Sequence, residues 1–118
     1  MKMLGGLGGM MRQMKQMQEE MEKEVARIEQ ELTEKRLEAT AGGGLVRVAV
    51  NGMGKVLEVS IDRQQFEAER LDLLEDALVV AIHEAMEQAK AEHTRQMKEL
   101  TGNLGISELM DAMRHEFR

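Results

Sequence analysis

The chain has 118 residues, 42% of them hydrophobic and 32% charged, with no cysteine, proline, tryptophan or tyrosine. One domain with a modest aliphatic core is expected at this length. The lack of cysteine excludes disulfide scaffolds, thiolate metal centres and thiol nucleophiles. The formal net charge of −6, taken alone, argues against nucleic acid or anionic lipid as a partner. The longest apolar run, residues 77–82, is far too short to span a bilayer, so a cytoplasmic location is expected.

The N-terminal part of the chain predicts an arm followed by a helix. Residues 1–9, MKMLGGLGG, contain four glycines, whose backbone entropy cost predicts a flexible, non-helical arm. Residues 10–35 then predict a long helix, because apolar residues recur every three or four positions in a narrow seam. The seam suits a neighbouring helix from the same chain or from another subunit, and both alternatives remain open. Its members are Met10, Met14, Met17, Met21, Val25, Ile28 and Leu32.

Residues 36–62 change to a period of two, which is typical of β-strands. Three strands are predicted, with turns at the glycines 42–44 and at the Asn-Gly-Met-Gly sequence 51–54. Asp62 is expected to end the third strand or cap the turn that follows. Such an antiparallel meander needs a cover for one face and protection for its edges. Helices or a second copy of the sheet would meet both needs.

Residues 66–100 predict a second long helix. Leu73 and Val79 widen the apolar stripe of its first half, which is therefore expected to cover the sheet, and Thr101-Gly102 is a plausible stop. Residues 102–118 are expected to form a loosely ordered tail with a short helix from Ser107 to Met113. The predicted fold class is α+β, in the order α-β-β-β-α, with a single domain over residues 10–101.

The predicted helices are too long for a compact monomer. They would extend about 38 and 52 Å, whereas a compact domain of 118 residues is only about 27 Å across. Both helices must therefore project beyond the sheet. Because projecting amphipathic ends are unfavourable in a monomer, this mismatch predicts a homodimer with arms.

No catalytic, metal or cofactor site is predicted. His83 and His93 are ten residues apart, whereas a helical metal pair needs a spacing of three or four. The glycine-rich stretches lack the Lys-Ser/Thr sequence that completes a P-loop. The carboxylates lie mostly on solvated helix faces, and the two serines, Ser60 and Ser107, suggest no catalytic triad. The chain is therefore not expected to be an enzyme.

Basic side chains are the remaining functional candidates. Residues 1–18 carry three bases and no acid, so the N-terminal tip is positive although the chain is acidic, and a dimer would present two such tips. The alternative is ordinary solvated surface charge. Without aromatic residues among the bases, stacking on single strands is not expected, whereas contacts with duplex phosphates are. The candidates are Lys2, Arg12, Lys15, Lys23, Arg27, Lys90, Arg95 and Lys98.

Three stretches of the chain resemble one bacterial family. Residues 3–21, MLGGLGGMMRQMKQMQEEM, are similar to the opening of the YbaB/EbfC family of nucleoid-associated proteins. Residues 42–62, GGGLVRVAVNGMGKVLEVSID, resemble its central sheet segment. Leu74-Glu75-Asp76, the alanine-rich helix after it and residues 97–102 resemble its second helix and end. The resemblance covers about residues 1–102.

This resemblance implies a non-enzymatic homodimer whose helices form tweezer-like arms that bind duplex DNA. It also implies association with the nucleoid and effects on nucleoid organisation and gene expression. The chain departs from the family at Arg63, where a proline often follows the strand-three aspartate, and in its tail, NLGISELMDAMRHEFR.

Two functional hypotheses follow. The first is a cytoplasmic, nucleoid-associated homodimer that binds DNA, mainly through Arg12 and Lys15. The alternative is a protein-interaction module that grips a partner helix with the methionine-rich seam and does not itself bind DNA.

Overall fold

A computed structural model describes residues 2–103, with the side chains of residues 6–102. Helix α1 spans Lys2–Glu34, and strands β1 (Arg36–Ala41), β2 (Val46–Asn51) and β3 (Val56–Ile61) follow. A 3-10 turn at Ala68–Arg70 leads into helix α2, Leu71–Asn103. The predicted α-β-β-β-α order is therefore confirmed, and the expected tail helix at 107–113 lies outside the described residues.

The strands form one antiparallel sheet in the order β1-β2-β3. Val46 and Val48 pair with Ile61 and Val59, and a bulge between Ala49 and Val50 brings Val50 opposite Val56. Glycines 42–44 form the β1–β2 turn with φ angles of +68°, +66° and +91°. Glycine is favoured at positive φ because this residue has no Cβ. The period-two pattern thus located all three strands.

The helices begin and end differently from the prediction. Helix α1 includes the glycine-rich residues 2–9, which were expected to be non-helical. Extending an existing helix adds one hydrogen bond for each residue fixed, so a helix can continue through residues that would not start one. Whether residues 1–9 are flexible stays a prediction. Helix α2 starts later than residue 66 and continues through the expected stop at Thr101-Gly102 to Asn103.

The sheet is covered by alanines. Helix α2 packs Ala77, Ala81, Ala85 and Ala89 onto the buried valines of β2, and all four alanines are buried. Leu73 and Val79, which were expected to widen this contact, are 47% and 69% exposed. The small alanine side chains allow the helix to approach the sheet closely, which leaves the larger side chains on its flanks.

A second, smaller core joins the two helices beyond the sheet. Ile28, Leu32 and Leu100 are buried together, and Met21, Val25 and Met97 pack around them. The second half of the predicted α1 seam, from Met21 to Leu32, thus packs on α2. The molecule measures 82 × 34 × 17 Å with a radius of gyration of 22.7 Å, so the predicted projection of the helices beyond the sheet is confirmed.

Candidate nucleic-acid interface

The paired helices form an arm that is fixed to the sheet at its base. The Gly52 N–H donates to the Leu32 carbonyl oxygen over 2.7 Å. A Cβ on Gly52 would lie 2.7 Å from Leu32 Cδ2 and 2.8 Å from its carbonyl oxygen, so only glycine allows this approach. The buried Asn51 side chain accepts hydrogen bonds from the Met53 and Lys55 N–H groups, at 3.0 and 2.9 Å, and holds the turn.

An ion-pair cluster closes the same junction. Lys35 Nζ on the chain entering β1 donates to Glu92 Oε1 on α2 over 2.7 Å, and Arg95 binds the same carboxylate. Glu92 is 13% exposed. The hydrogen bonds from Arg95 and then from Lys35 lower its pKa to about 2. The carboxylate therefore stays charged and links α2 to the chain between α1 and β1.

Two of the eight predicted DNA-binding residues are already engaged with carboxylates. Arg27 binds Glu24 and Glu31, at 2.9 and 2.7 Å, and Arg95 binds Glu92 and Glu99. These hydrogen bonds raise the pKa values of both guanidinium groups. Since a phosphate would have to compete with two acids at each site, Arg27 and Arg95 are weak candidates for DNA contact.

Five of the predicted cations are exposed and make no ion pair with any described residue: Arg12, Lys15, Lys23, Lys90 and Lys98. By helical periodicity, Arg12 and Lys23 lie on the face of α1 opposite the apolar seam. On α2, Lys90 and Lys98 lie two turns apart and line one shallow groove. The Lys2 side chain lies outside the described side chains.

The predicted residues form two groups rather than one cluster. Arg12 and Lys15 lie near the N-terminal end of α1, and Arg12 is about 24 Å along the helix from Ile28, where α2 is packed. Lys23, Lys90 and Lys98 lie nearer to the paired part of the arm. A long polyanion could contact both groups, whereas a small ligand could not.

Sequence reasoning missed one polar residue of this surface. Thr94 lies between Lys90 and Lys98 in the same groove, where its hydroxyl could donate to a phosphate oxygen. The spacing of four residues on either side could have identified it.

No helix in the part of the chain described here is long and apolar enough to span a membrane. Within the same residues, no group of three acidic or histidine side chains could hold a metal ion.

Comparisons with known proteins assign this architecture to a family. Residues 3–104 match the model of the YbaB/EbfC DNA-binding family. A nucleoid-associated protein of Moorella thermoacetica is 40% identical over 83 residues, which cover 70% of this chain and 80% of that protein. A nucleoid-associated protein of Pelotomaculum thermopropionicum is 33% identical over 100 residues, which cover 85% and 95% of the two chains.

A solved structure shares the fold. The crystal structure of an uncharacterized protein from Helicobacter pylori superposes with a TM-score of 0.65 at 22% identity, over 79% of this chain and 94% of that one. The family is one of DNA-binding proteins rather than enzymes, in agreement with the prediction from the residues. The family match and the similarity to the Moorella protein together show that the chain belongs to the YbaB/EbfC DNA-binding family.

Proposed function

We propose that the chain is a nucleoid-associated protein that binds duplex DNA as a homodimer, through phosphate contacts from its basic arms, and so influences nucleoid organisation and gene expression. The exposed cations of α1 carry the proposal. The chain belongs to a DNA-binding family, and Arg12, Lys15 and Lys23 form no ion pair with a carboxylate among the described residues. Since no base-reading element is evident on the described arm, backbone contacts with little sequence preference are expected.

An uncovered strand supports the homodimer. Helix α2 packs across β1 and β2, whereas none of its Cα atoms lies within 8 Å of a Cα atom of the edge strand β3. Val56, Val59 and Ile61 pair with the buried valines of β2 on the covered face, yet they are 40–46% exposed. On α2, the apolar side chains of Val79 and Ile82 are also exposed. An apolar edge strand with free backbone groups favours association with another strand, and a second copy offers an identical edge.

The dimer can be tested at β3. Val59→Glu is expected to shift the mass measured by analytical ultracentrifugation from dimer to monomer, because a carboxylate would be buried in the interface. Met53→Glu is a matched control, because Met53 and Val59 are both 46% exposed and Met53 lies in a turn. A monomeric wild-type protein, or a Val59→Glu variant that remains a dimer, would contradict this interface.

The DNA contacts can be tested by salt dependence. The affinity for a labelled duplex is measured by fluorescence anisotropy at 50 and 200 mM salt. Contact with six phosphates would weaken binding about 10³-fold over this range. Arg12→Gln/Lys15→Gln removes four charges from a dimer and is expected to flatten the slope of log affinity against log salt by about 3.6.

The control removes the same number of charges elsewhere. Arg27→Gln/Arg95→Gln changes cations that already bind carboxylates, so the slope is expected to change by less than about 1. A wild-type slope in the Arg12/Lys15 variant would exclude those residues as phosphate contacts. Absence of binding at 50 mM salt would refute DNA binding and favour the alternative, in which the methionine-rich seam binds a partner protein.

A further inference from the structure

The apolar stripe of α1 is covered over only half of its length. Met21, Val25, Ile28 and Leu32 pack in the core between the helices. The same stripe continues toward the N-terminus as Leu7, Met10, Met14 and Met17, which we call the N-terminal seam. Its members are 60–67% exposed. Four large apolar side chains in one row on an otherwise polar helix form a surface that favours a covering partner.

The course of α2 indicates which segment reaches this surface. Glu92 contacts Lys35, just after α1, whereas Leu100 packs on Ile28 and Leu32 farther toward the N-terminus of α1. The helices are therefore antiparallel. At Asn103, the last described residue, α2 is directed along α1 toward the N-terminal seam, and the sequence continues from there for fifteen residues.

We propose that residues 104–118 of the same chain cover the N-terminal seam. Their sequence has apolar residues at intervals of three or four positions, as expected for an amphipathic helix: Ile106, Leu109, Met110, Met113 and Phe117. Gly105 precedes this stretch and allows a change of direction, and Ser107 is a suitable N-cap. As a helix, residues 107–117 would extend about 16 Å, and the seam from Leu7 to Met17 extends about 15 Å.

Charge favours this occupant over a second copy of the seam. Residues 6–18 carry Arg12 and Lys15 and no acid, so two such segments would repel each other. The proposed occupant, residues 104–118, carries Glu108, Asp111 and Glu116 against Arg114 and Arg118, so its formal net charge is −1 with His neutral. Arg12 and Lys23 lie on the opposite face of α1 from the seam. A segment bound to the seam would therefore leave the proposed DNA-binding face free.

Methionine oxidation in the full-length, DNA-free protein tests the proposal. Hydrogen peroxide oxidises exposed thioethers faster than covered ones, and peptide mass spectrometry gives the rate at each methionine. Met14 and Met17 are 67% and 64% exposed in the described chain, and Met53 is 46% exposed. If residues 104–118 cover the seam, Met14 and Met17 are expected to react at least about threefold more slowly than Met53.

Variants within the last fifteen residues identify the occupant. Leu109→Ser/Met113→Ser is expected to raise the rates at Met14 and Met17 by at least about threefold and to leave Met53 unchanged. The control Ala112→Ser/His115→Ser changes positions outside the apolar stripe and is expected to change none of the three rates. If Met14 and Met17 react as fast as Met53 in the wild type, the seam is open and the proposal is wrong. Slow rates that survive Leu109→Ser/Met113→Ser, or that depend on protein concentration, would assign the seam to another occupant and would equally overturn it.

Discussion

Gly52→Ala tests whether the contact between the β2–β3 turn and α1 fixes the arm. The new Cβ would lie 2.7 Å from Leu32 Cδ2, 2.8 Å from the Leu32 carbonyl oxygen and 3.0 Å from its Cα. Two of these three atoms belong to the backbone, so a side-chain rotation cannot relieve the overlap. The end of α1 must move, and the 2.7 Å hydrogen bond from Gly52 to Leu32 is strained or lost.

The expected loss of stability follows from these terms. Overpacking of this kind costs about 1–3 kcal/mol, and the weakened hydrogen bond about 1 kcal/mol. Replacing glycine restricts the unfolded chain and returns about 0.4–1 kcal/mol. The free energy of unfolding should therefore fall by about 1–4 kcal/mol. Urea denaturation at one fixed protein concentration measures it, because association changes apparent stability.

Gly9→Ala is the matched control for this variant. Gly9 lies in α1 with no atom within 4 Å of a new Cβ, so alanine should stabilise the helix by about 0.5–1 kcal/mol. An unfolding free energy of Gly52→Ala within about 0.5 kcal/mol of the wild type, which is the usual range for substitutions without structural effect, would refute the argument from close contact.

Three further changes test the junction and the core. The first change is Glu92→Gln. The pKa of Glu92 is about 2 in the folded protein against an ordinary value of 4.5, so the stabilisation from its ion pairs is present above pH 4.5 and is lost as the pH falls toward 2. Because its partners are half-exposed and screened by solvent, this stabilisation amounts to about 1–2 kcal/mol. Urea denaturation from pH 6 to 2 should show a smaller loss for Glu92→Gln, and equal losses would contradict this. Asn51→Ala leaves two N–H groups without their acceptor and should cost about 2 kcal/mol by the same assay, whereas an unchanged midpoint would show that water replaces the amide. Ala85→Leu places a large side chain in a fully buried position and should lower the thermal midpoint through about 1–3 kcal/mol of overpacking; an unchanged midpoint would disprove close helix–sheet packing.

Local sequence patterns predicted the strands well because the side chains of a half-buried strand alternate. The prediction of a non-helical backbone was wrong for residues 2–9, where continuation of a helix outweighed glycine propensity. Leu73 and Val79 were assigned to the sheet contact because hydrophobicity alone does not distinguish a face packed by small alanines from an apolar flank beside it.

Long-range contacts explain the other differences. Nothing local to Gly52 indicates that Leu32 lies against it, because the two residues meet only after the sheet and α1 have packed. The engagement of Arg27 was, in contrast, predictable, since Glu24 and Glu31 lie at helical spacings of three and four residues. The same spacing rule would have demoted Arg95 as a candidate for DNA contact.

The fixed base of α1 makes this helix a lever. Arg12 lies twenty residues, or about 30 Å, from Leu32 along a helix that rises 1.5 Å per residue. A rotation of about 10° at the junction would therefore move Arg12 by about 5 Å, which exceeds the 3.4 Å spacing of phosphates along the axis of one DNA strand. Substitutions at Gly52 or Leu32, far from Arg12 and Lys15, would change which phosphates the basic tip can reach.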